Sequence, residues 1–418
     1  MNFGEACEIF REQRSDLFGQ ASQAIIDFVR EPTNLFGMDR VILLARALAQ
    51  SGKGICVPPD LGPLADVPST GGPASLTTLL CPLLIAATGV RVPQLSATGS
   101  IAGAVDTMAI INGFKAKLSP EDFLVALRRA GIAHSEPHEE VCPADRVLIN
   151  LRRKSNLMPH KGLAAASLLA KKLAVPGTCA SFDFRVGPTG NIGDDLGEAK
   201  AAAELFCSAA DALGVRIAIT ITDNRSFPCT ALGRIESLDL LWTILNCKGK
   251  LTRLDEEHVH TCIRIAARGC ALAAGNLATS AEKEQQLKQL LSSGAVLQVF
   301  VKHLEAQGTT LKAFHAVLDA RKLQTVRVVT APQDGPWHPP DLSIAKELVK
   351  GGQAAVERIG YRDPRCHFGL RLLVDPGDHV IAGQPVMEFR YPAELDGTID
   401  SDSCSWHPGS SILGFVPA

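Results

Sequence analysis

Apolar positions recur at helical spacing through the first 50 residues, where Phe28, Leu35 and the run Arg40–Gln50 (RVILLARALAQ) predict helix. From there to about residue 113 the pattern breaks into short apolar runs separated by Gly and Pro, a βα-type alternation. Within it Leu76–Ala87 reads as a helix, and Val92–Ser96 as a short strand running into the small-residue turn Ala97–Ser100. Residues 119–131 are helical again: Ser119 offers an N-cap, Pro120 a first-position proline and Glu121 a first-turn acid. A helix over Gly162–Leu173 is stopped by Pro176-Gly177. The strand Thr178–Val186, a glycine-rich turn, a helix over Asp195–Leu213 and the strand Val215–Thr222 then form a parallel βαβ unit. Helices dominate 234–320. The last hundred residues gain prolines and short β-like segments around Asp375–Pro385, which predicts a small β-rich module.

Composition narrows the function more than the fold. A chain of 418 residues suggests two or three domains, and 46% hydrophobic with 21% charged residues is ordinary globular usage. A net charge of −2 gives no sign of a polymeric nucleic-acid or anionic-membrane partner. No apolar run reaches the ~20 residues that span a bilayer. The start, MNFGEACEIFREQRSD, carries charges where a signal peptide is apolar, so a cytoplasmic protein is expected. Its 12 cysteines contain no C-x-x-C pair and are expected to be reduced and buried. No G-x-S-x-G, Walker A or G-x-G-x-x-G occurs, which disfavours hydrolase, NTPase and dinucleotide chemistry.

Three constellations remain. The loop Asp66–Ser75 (DVPSTGGPAS) has hydroxyls and glycines suited to wrapping backbone N–H groups around an anion, yet no basic side chain. It also reads as a plain turn and N-cap. Ser167 and Lys171 stand i and i+4 on one helix and could, with Arg152, hold the carbonyl edge of a planar ring. They equally read as a solvated lysine beside a buried serine. Asp183–Asn191 (DFRVGPTGN) is either the floor of a ligand cleft at a sheet's carboxyl edge or a βα turn. His258 and Cys262 have metal-pair spacing, but His260 faces away, and no metal is expected. His134 and His138, with Pro137 between them, read as solvated loop residues.

In order, these motifs resemble the pyrimidine-nucleoside phosphorylase family, which includes thymidine phosphorylase. The family's Asp-Lys-His-Ser-Thr-Gly-Gly loop resembles Asp66–Gly72. Its Val-Pro-x-x-Ser strand resembles Val92–Ser96, and a later segment resembles Val105-Asp106 to Gly113-Phe114. Its Leu-Arg-Asp resembles Leu151–Arg153, and its Ser/Lys-bearing helix resembles Ala166–Ala174. Asp183–Gly187, Ile221–Asn224 and the carboxyl-terminal Pro376–Pro385 continue the likeness from about residue 38 onward.

The resemblance implies an α/β fold. A small helical domain, from 1–50 and 138–174, would sit beside a large mixed α/β domain, from 51–137 and 175–330. Residues 331–418 would form a β-rich carboxyl-terminal module, and the protein would be a homodimer. It implies a pentosyltransferase cleaving the N-glycosidic bond of a pyrimidine nucleoside by phosphorolysis. Arg152 and Lys171 would be catalytic, with Ser167 beside them on the base. Ser69, Thr70 and Ser96 would hold phosphate as a possible co-substrate, with no other cofactor. The family lysine and histidine fall on Val67 and Pro68, and a family threonine falls on Ala104 within the shortened segment Ser96–Ala104. Three outcomes therefore stay open. A replacement cation (Arg153, Lys154, Lys161 or Arg185) could restore phosphorolysis. Another acceptor could make the chain a glycosyltransferase or hydrolase on a pyrimidine nucleoside or nucleotide. Or it could bind nucleosides without turnover. Asp239 is the carboxylate considered for a monovalent cation near the loop.

Overall fold

The computed structural model describes residues 1–101, 103–247, 249–358 and 367–395. Parts of the expected carboxyl-terminal module (359–366 and 396–418), and Ala102 of the segment Ser96–Ala104, lie outside the described residues.

The mixed architecture is present: a helical amino-terminal region, a larger α/β core and a β-rich carboxyl-terminal sheet. Helices Phe3–Arg11, Phe18–Arg30 and Met38–Gln50 pack with Pro143–Lys154 and Lys161–Leu173. They share a core that includes Phe10, Phe18, Ile25, Leu44, Leu48, Leu148 and Leu163. Their apolar residues recur at 3.6-residue spacing, so each helix presents one face to that core.

The α/β core holds five strands: β1 (Leu64–Asp66), β2 (Val92–Leu95), β3 (Ile132–Ser135), β4 (Thr178–Val186) and β5 (Ile217–Asp223). Parallel pairs join β1 to β4, β4 to β5 and β2 to β3. Ala65 N–H donates to Arg91 O (2.9 Å) and Arg91 N–H to Pro63 O (3.0 Å). These bonds bring β2 alongside β1, for a spatial order β3-β2-β1-β4-β5. Every residue of β4 is buried, as a central parallel strand requires. In such a sheet the loops leaving the strands' carboxyl ends form the ligand cleft.

The rest of the chain supplies β6 (Ala231–Leu232), β7 (Thr325–Thr330), β8 (Gly335–Pro336), β9 (Gly369–Leu372), β10 (His379–Val380) and β11 (Pro385–Tyr391). They form an antiparallel sheet ordered β6-β9-β11-β7 and the ribbon β8-β10. Between β8 and β9 runs the helix Leu342–Arg358, which buries Leu342, Ala345, Leu348, Val349 and Val356.

Local signals acted as their chemistry dictates. Ser119 Oγ accepts from Asp122 N–H, Pro120 opens the helix, and Gly131 ends it with φ +80°. The histidine expectation is corrected: His134 and His138 are buried, because β3 carries one into the sheet and Leu118 O takes the other's Nε2 (2.7 Å). The cysteine expectation holds in part. Ten described cysteines are free, and Cys56, Cys207 and Cys247 are exposed. Among the described residues no helix is long and apolar enough to cross a membrane.

Candidate active site

A cavity of about 450 Å³ opens between the helical region and the carboxyl edge of the parallel sheet. Small-molecule sites commonly fall in this size range. Its walls bring together all six residues singled out above: Ser69, Thr70, Ser96, Arg152, Ser167 and Lys171.

The helical wall is built from buried charge. Arg152 closes the first helix of the wall, and its guanidinium reaches the carbonyls of Leu157 (3.4 Å), Met158 (2.9 Å) and Leu163 (3.4 Å). Among the described residues no carboxylate lies within ion-pair distance of it. Burial pushes its pKa down to about 10, with Asp145 partly opposing, so it stays charged at neutral pH. Lys171 is neither solvated nor free. Its Nζ donates to Asp145 Oδ2 (2.5 Å), Ser167 Oγ (2.9 Å) and Ser167 O (2.9 Å), and the ion pair is almost wholly buried. The next residue, Lys172, points the other way and pairs with Asp66 at the end of β1, again buried.

The loop wall spends its hydroxyls on itself. Thr70 N–H donates to Asp183 O (3.0 Å), Asp183 N–H to Pro68 O (2.9 Å) and Arg185 N–H to Thr70 Oγ1 (2.9 Å), which lays Pro68–Thr70 along β4. Ser69 Oγ accepts from Gly71 N–H (3.3 Å) and donates to Asp183 Oδ2 (3.4 Å). The Asp183 carboxylate also accepts from Thr77 Oγ1 (2.8 Å) and Thr222 Oγ1 (2.6 Å). Beneath the loop Arg185 donates to Ala74 O and Asn224 Oδ1, each at 2.5 Å. Gly72 has φ +135°, and a Cβ there would come within 2.5 Å of Arg185 Nη1, so both backbone and space demand glycine.

Further along this wall, Ser96 Oγ lies 3.2 Å from His134 Nε2. Burial, with His303 stacked nearby, pushes the His134 pKa down to about 3, so the imidazole is neutral. Arg153 ties the two walls together by donating to Thr98 O (2.7 Å), and Asp106 accepts from Gly99 N–H (2.9 Å) and Ser100 N–H (3.0 Å). A third side comes from Lys346, Glu347 and Lys350 of the helix Leu342–Arg358.

Of the four replacement cations considered, Arg153 and Arg185 line the cavity, while Lys161 sits 3.8 Å from Glu198 and Lys154 lies outside it. Asp239 lies outside the cavity too, paired to Arg371 and 3.7 Å from Arg321. His258 Nε2 accepts from Leu76 N–H (2.9 Å) and lies 3.9 Å from Cys262 Sγ. Sequence reasoning missed Asp145, Lys346, Lys350 and the His134–Ser96 contact. Asp145 sits in a helix's first turn, where an acid is ordinary, so nothing marked it.

No family model matches the chain. It is 25% identical over 301 residues to a thymidine phosphorylase of Colwellia psychrerythraea, covering 71% of this chain and 67% of that one. It is 28% identical over 264 residues to a thymidine phosphorylase of Rhizobium meliloti, covering 63% and 59%. Against a pyrimidine-nucleoside phosphorylase of Staphylococcus haemolyticus it is 29% identical over 283 residues, covering 67% and 63%. The matched stretches thus span about three fifths to two thirds of those relatives. In fold the chain follows an anthranilate phosphoribosyltransferase of Thermus thermophilus, with TM-score 0.55, 17% identity, and coverage of 73% of this chain and 96% of that one. This corrects the family expectation. The motif likeness stays weak in sequence, and the solved structure that the chain follows in fold is a phosphoribosyltransferase.

Proposed function

We propose that the chain is a glycosyl-transferring enzyme acting on a small nucleoside-like molecule, passing a pentosyl group to an acceptor other than free phosphate. Its base would be planar and carbonyl-bearing, such as a pyrimidine. One observation carries this reading: a buried, carboxylate-free guanidinium faces a glycine-rich loop whose hydroxyls are committed to Asp183 and Arg185. Such a cleft suits a leaving base at one wall and gives a free phosphate dianion few donors at the other.

In this mechanism the C1′–N bond breaks with its electron pair going to the base, and the sugar becomes oxocarbenium-like. Negative charge then grows on the ring carbonyls. The Arg152 fork, already fixed by three backbone carbonyls, needs no reorganisation to stabilise it. Lys171 is neutralised by Asp145, so its part is to orient the Ser167 hydroxyl toward the base edge. The nucleophilic atom of the acceptor, a ring nitrogen in base exchange, attacks C1′ from the loop side, and the proton it loses is matched by the one the departing base takes up.

The test is release of free base from uridine, thymidine, deoxyuridine and their monophosphates, with and without phosphate, alongside incorporation of labelled base into nucleoside. Base exchange that proceeds without phosphate is the expected result. Release that requires phosphate and saturates with it would overturn this reading, as would binding with no release under any condition. Release into water alone would replace transfer by hydrolysis.

A further inference from the structure

We propose that the helix Leu342–Arg358 supplies the cations that the loop lacks, with Lys346 and Lys350 holding a phosphate ester on the sugar, so that the substrate is a nucleoside monophosphate rather than a neutral nucleoside. This rests on the glycosyl-transfer reading for the chemistry, but not for the binding.

Six cationic side chains line the cavity, and four already hold protein partners, Arg152 among them being the one assigned to the base. Lys171 belongs to Asp145, Arg152 to three carbonyls, Arg153 to Thr98 O and Asn150 Oδ1, and Arg185 to Ala74 O and Asn224. Lys346 is half-buried and has no ion-pair or hydrogen-bond partner among the described residues. Among the described residues Lys350 pairs with Glu347 alone, at 3.2 Å and largely exposed.

The two lysines are i and i+4, so they leave one face of the helix together. The adjoining face is fixed, because Ala345, Leu348 and Val349 are buried in the core. The helix is therefore anchored while the ammonium groups, at the cavity wall, can reach into it.

The same geometry says what kind of anion they suit. Two partly exposed point charges on flexible stems hold a free dianion weakly. A phosphate tethered to a base and sugar already seated in the cleft is presented at high effective concentration, so the same contacts become selective. On arrival the ester would take Lys350 from Glu347, exchanging one exposed pair for another.

The experiment compares binding of uridine, UMP, inorganic phosphate and pyrophosphate to the full chain by calorimetry. It uses the parent, Lys346→Ala/Lys350→Ala and Lys346→Arg/Lys350→Arg, with thermal unfolding as the folding control. UMP is expected to bind about tenfold tighter than uridine, as two partly exposed charge contacts allow. The alanine pair should erase that preference while leaving uridine affinity and unfolding temperature unchanged, and the arginine pair should keep it. Equal affinity for UMP and uridine in the parent would overturn the proposal. So would a loss that strikes both ligands alike, or pyrophosphate binding as tightly as UMP. The two readings fail separately. Lysine-dependent UMP binding without any base release sinks the transfer chemistry and leaves this site standing. Transfer from uridine that ignores both lysines does the reverse.

Discussion

The helical wall and the loop wall of the cleft handle polar groups in opposite ways. On the helical wall charge is buried whole: Lys171 against Asp145, Lys172 against Asp66, and Arg152 over three carbonyls. On the loop wall the cation lies underneath, at Arg185, and neutral hydroxyls converge on Asp183. The first arrangement holds a fixed electrostatic field among buried groups. The second stores shape. A substrate meets preset charge on one side and a contoured, nearly neutral surface on the other, with Lys346 and Lys350 of the helix Leu342–Arg358 on a third side.

The contrast can be broken from the charged side first. Asp145→Ala leaves the Lys171 ammonium buried and alone, and should cost roughly 3–5 kcal/mol of stability by chemical denaturation. Asp145→Leu combined with Lys171→Met should recover most of it, since paired replacement of a buried ion pair is near neutral. Arg152→Ala should lower kcat/KM for base release by about 10²–10³, the range for removing one preorganised donor set, and Arg152→Lys should not restore it. Equal activity in Arg152→Ala would mean that the helical wall plays no part in the chemistry.

The loop wall should respond through conformation. Gly72→Ala places a Cβ against Arg185 at a φ of +135° and should cost roughly 1–3 kcal/mol, read as a lowered unfolding temperature. The smallest effect concerns acid. His134 and His303 are buried, with pKa values pushed down by desolvation to about 3 and about 4 from 6.5. Both folded-state values lie below the unfolded value, so the unfolded chain binds more protons as pH falls. Their stabilisation is present above pH 6.5 and is lost on acidification toward pH 4. Each contributes a slope of about 1.4 kcal/mol per pH unit in that window. His303→Phe should flatten the stability profile there by that amount, and an unchanged slope would show that His303 is not buried neutral.

What could be read from the residues divides along physical lines. Helix 119–131, strand Thr178–Val186 and the βαβ unit were legible because caps, prolines and apolar period are local properties. The meeting of Arg152, Ser167 and Lys171 was legible only through motif order. The partners of those residues were not. Asp145 is 26 positions from Lys171, Asp66 is 106 from Lys172, and each acid alone looks like an ordinary polar residue. Lys346 and Lys350 were hidden for a further reason. A lysine pair on an amphipathic helix reads as a solvated face until the fold shows which surface that face meets. Family order also suggested a membership that the comparisons did not sustain, because short motifs carry a local loop shape more readily than they carry the reaction performed around it.

The consecutive lysines have a mechanical consequence. Lys171 grips the neighbouring helix Pro143–Lys154 and Lys172 grips the end of β1, so the helix Lys161–Leu173 is tied at one point both to its own bundle and to the parallel sheet. Pulling the helical region off the sheet at that point would strip the buried Lys172–Asp66 pair and leave Lys171–Asp145 whole within the helices. The cleft is thus held at its base by a buried ion pair and across its walls by the Arg153 bond to Thr98 O, a strong tie and a weak one on the same pair of walls.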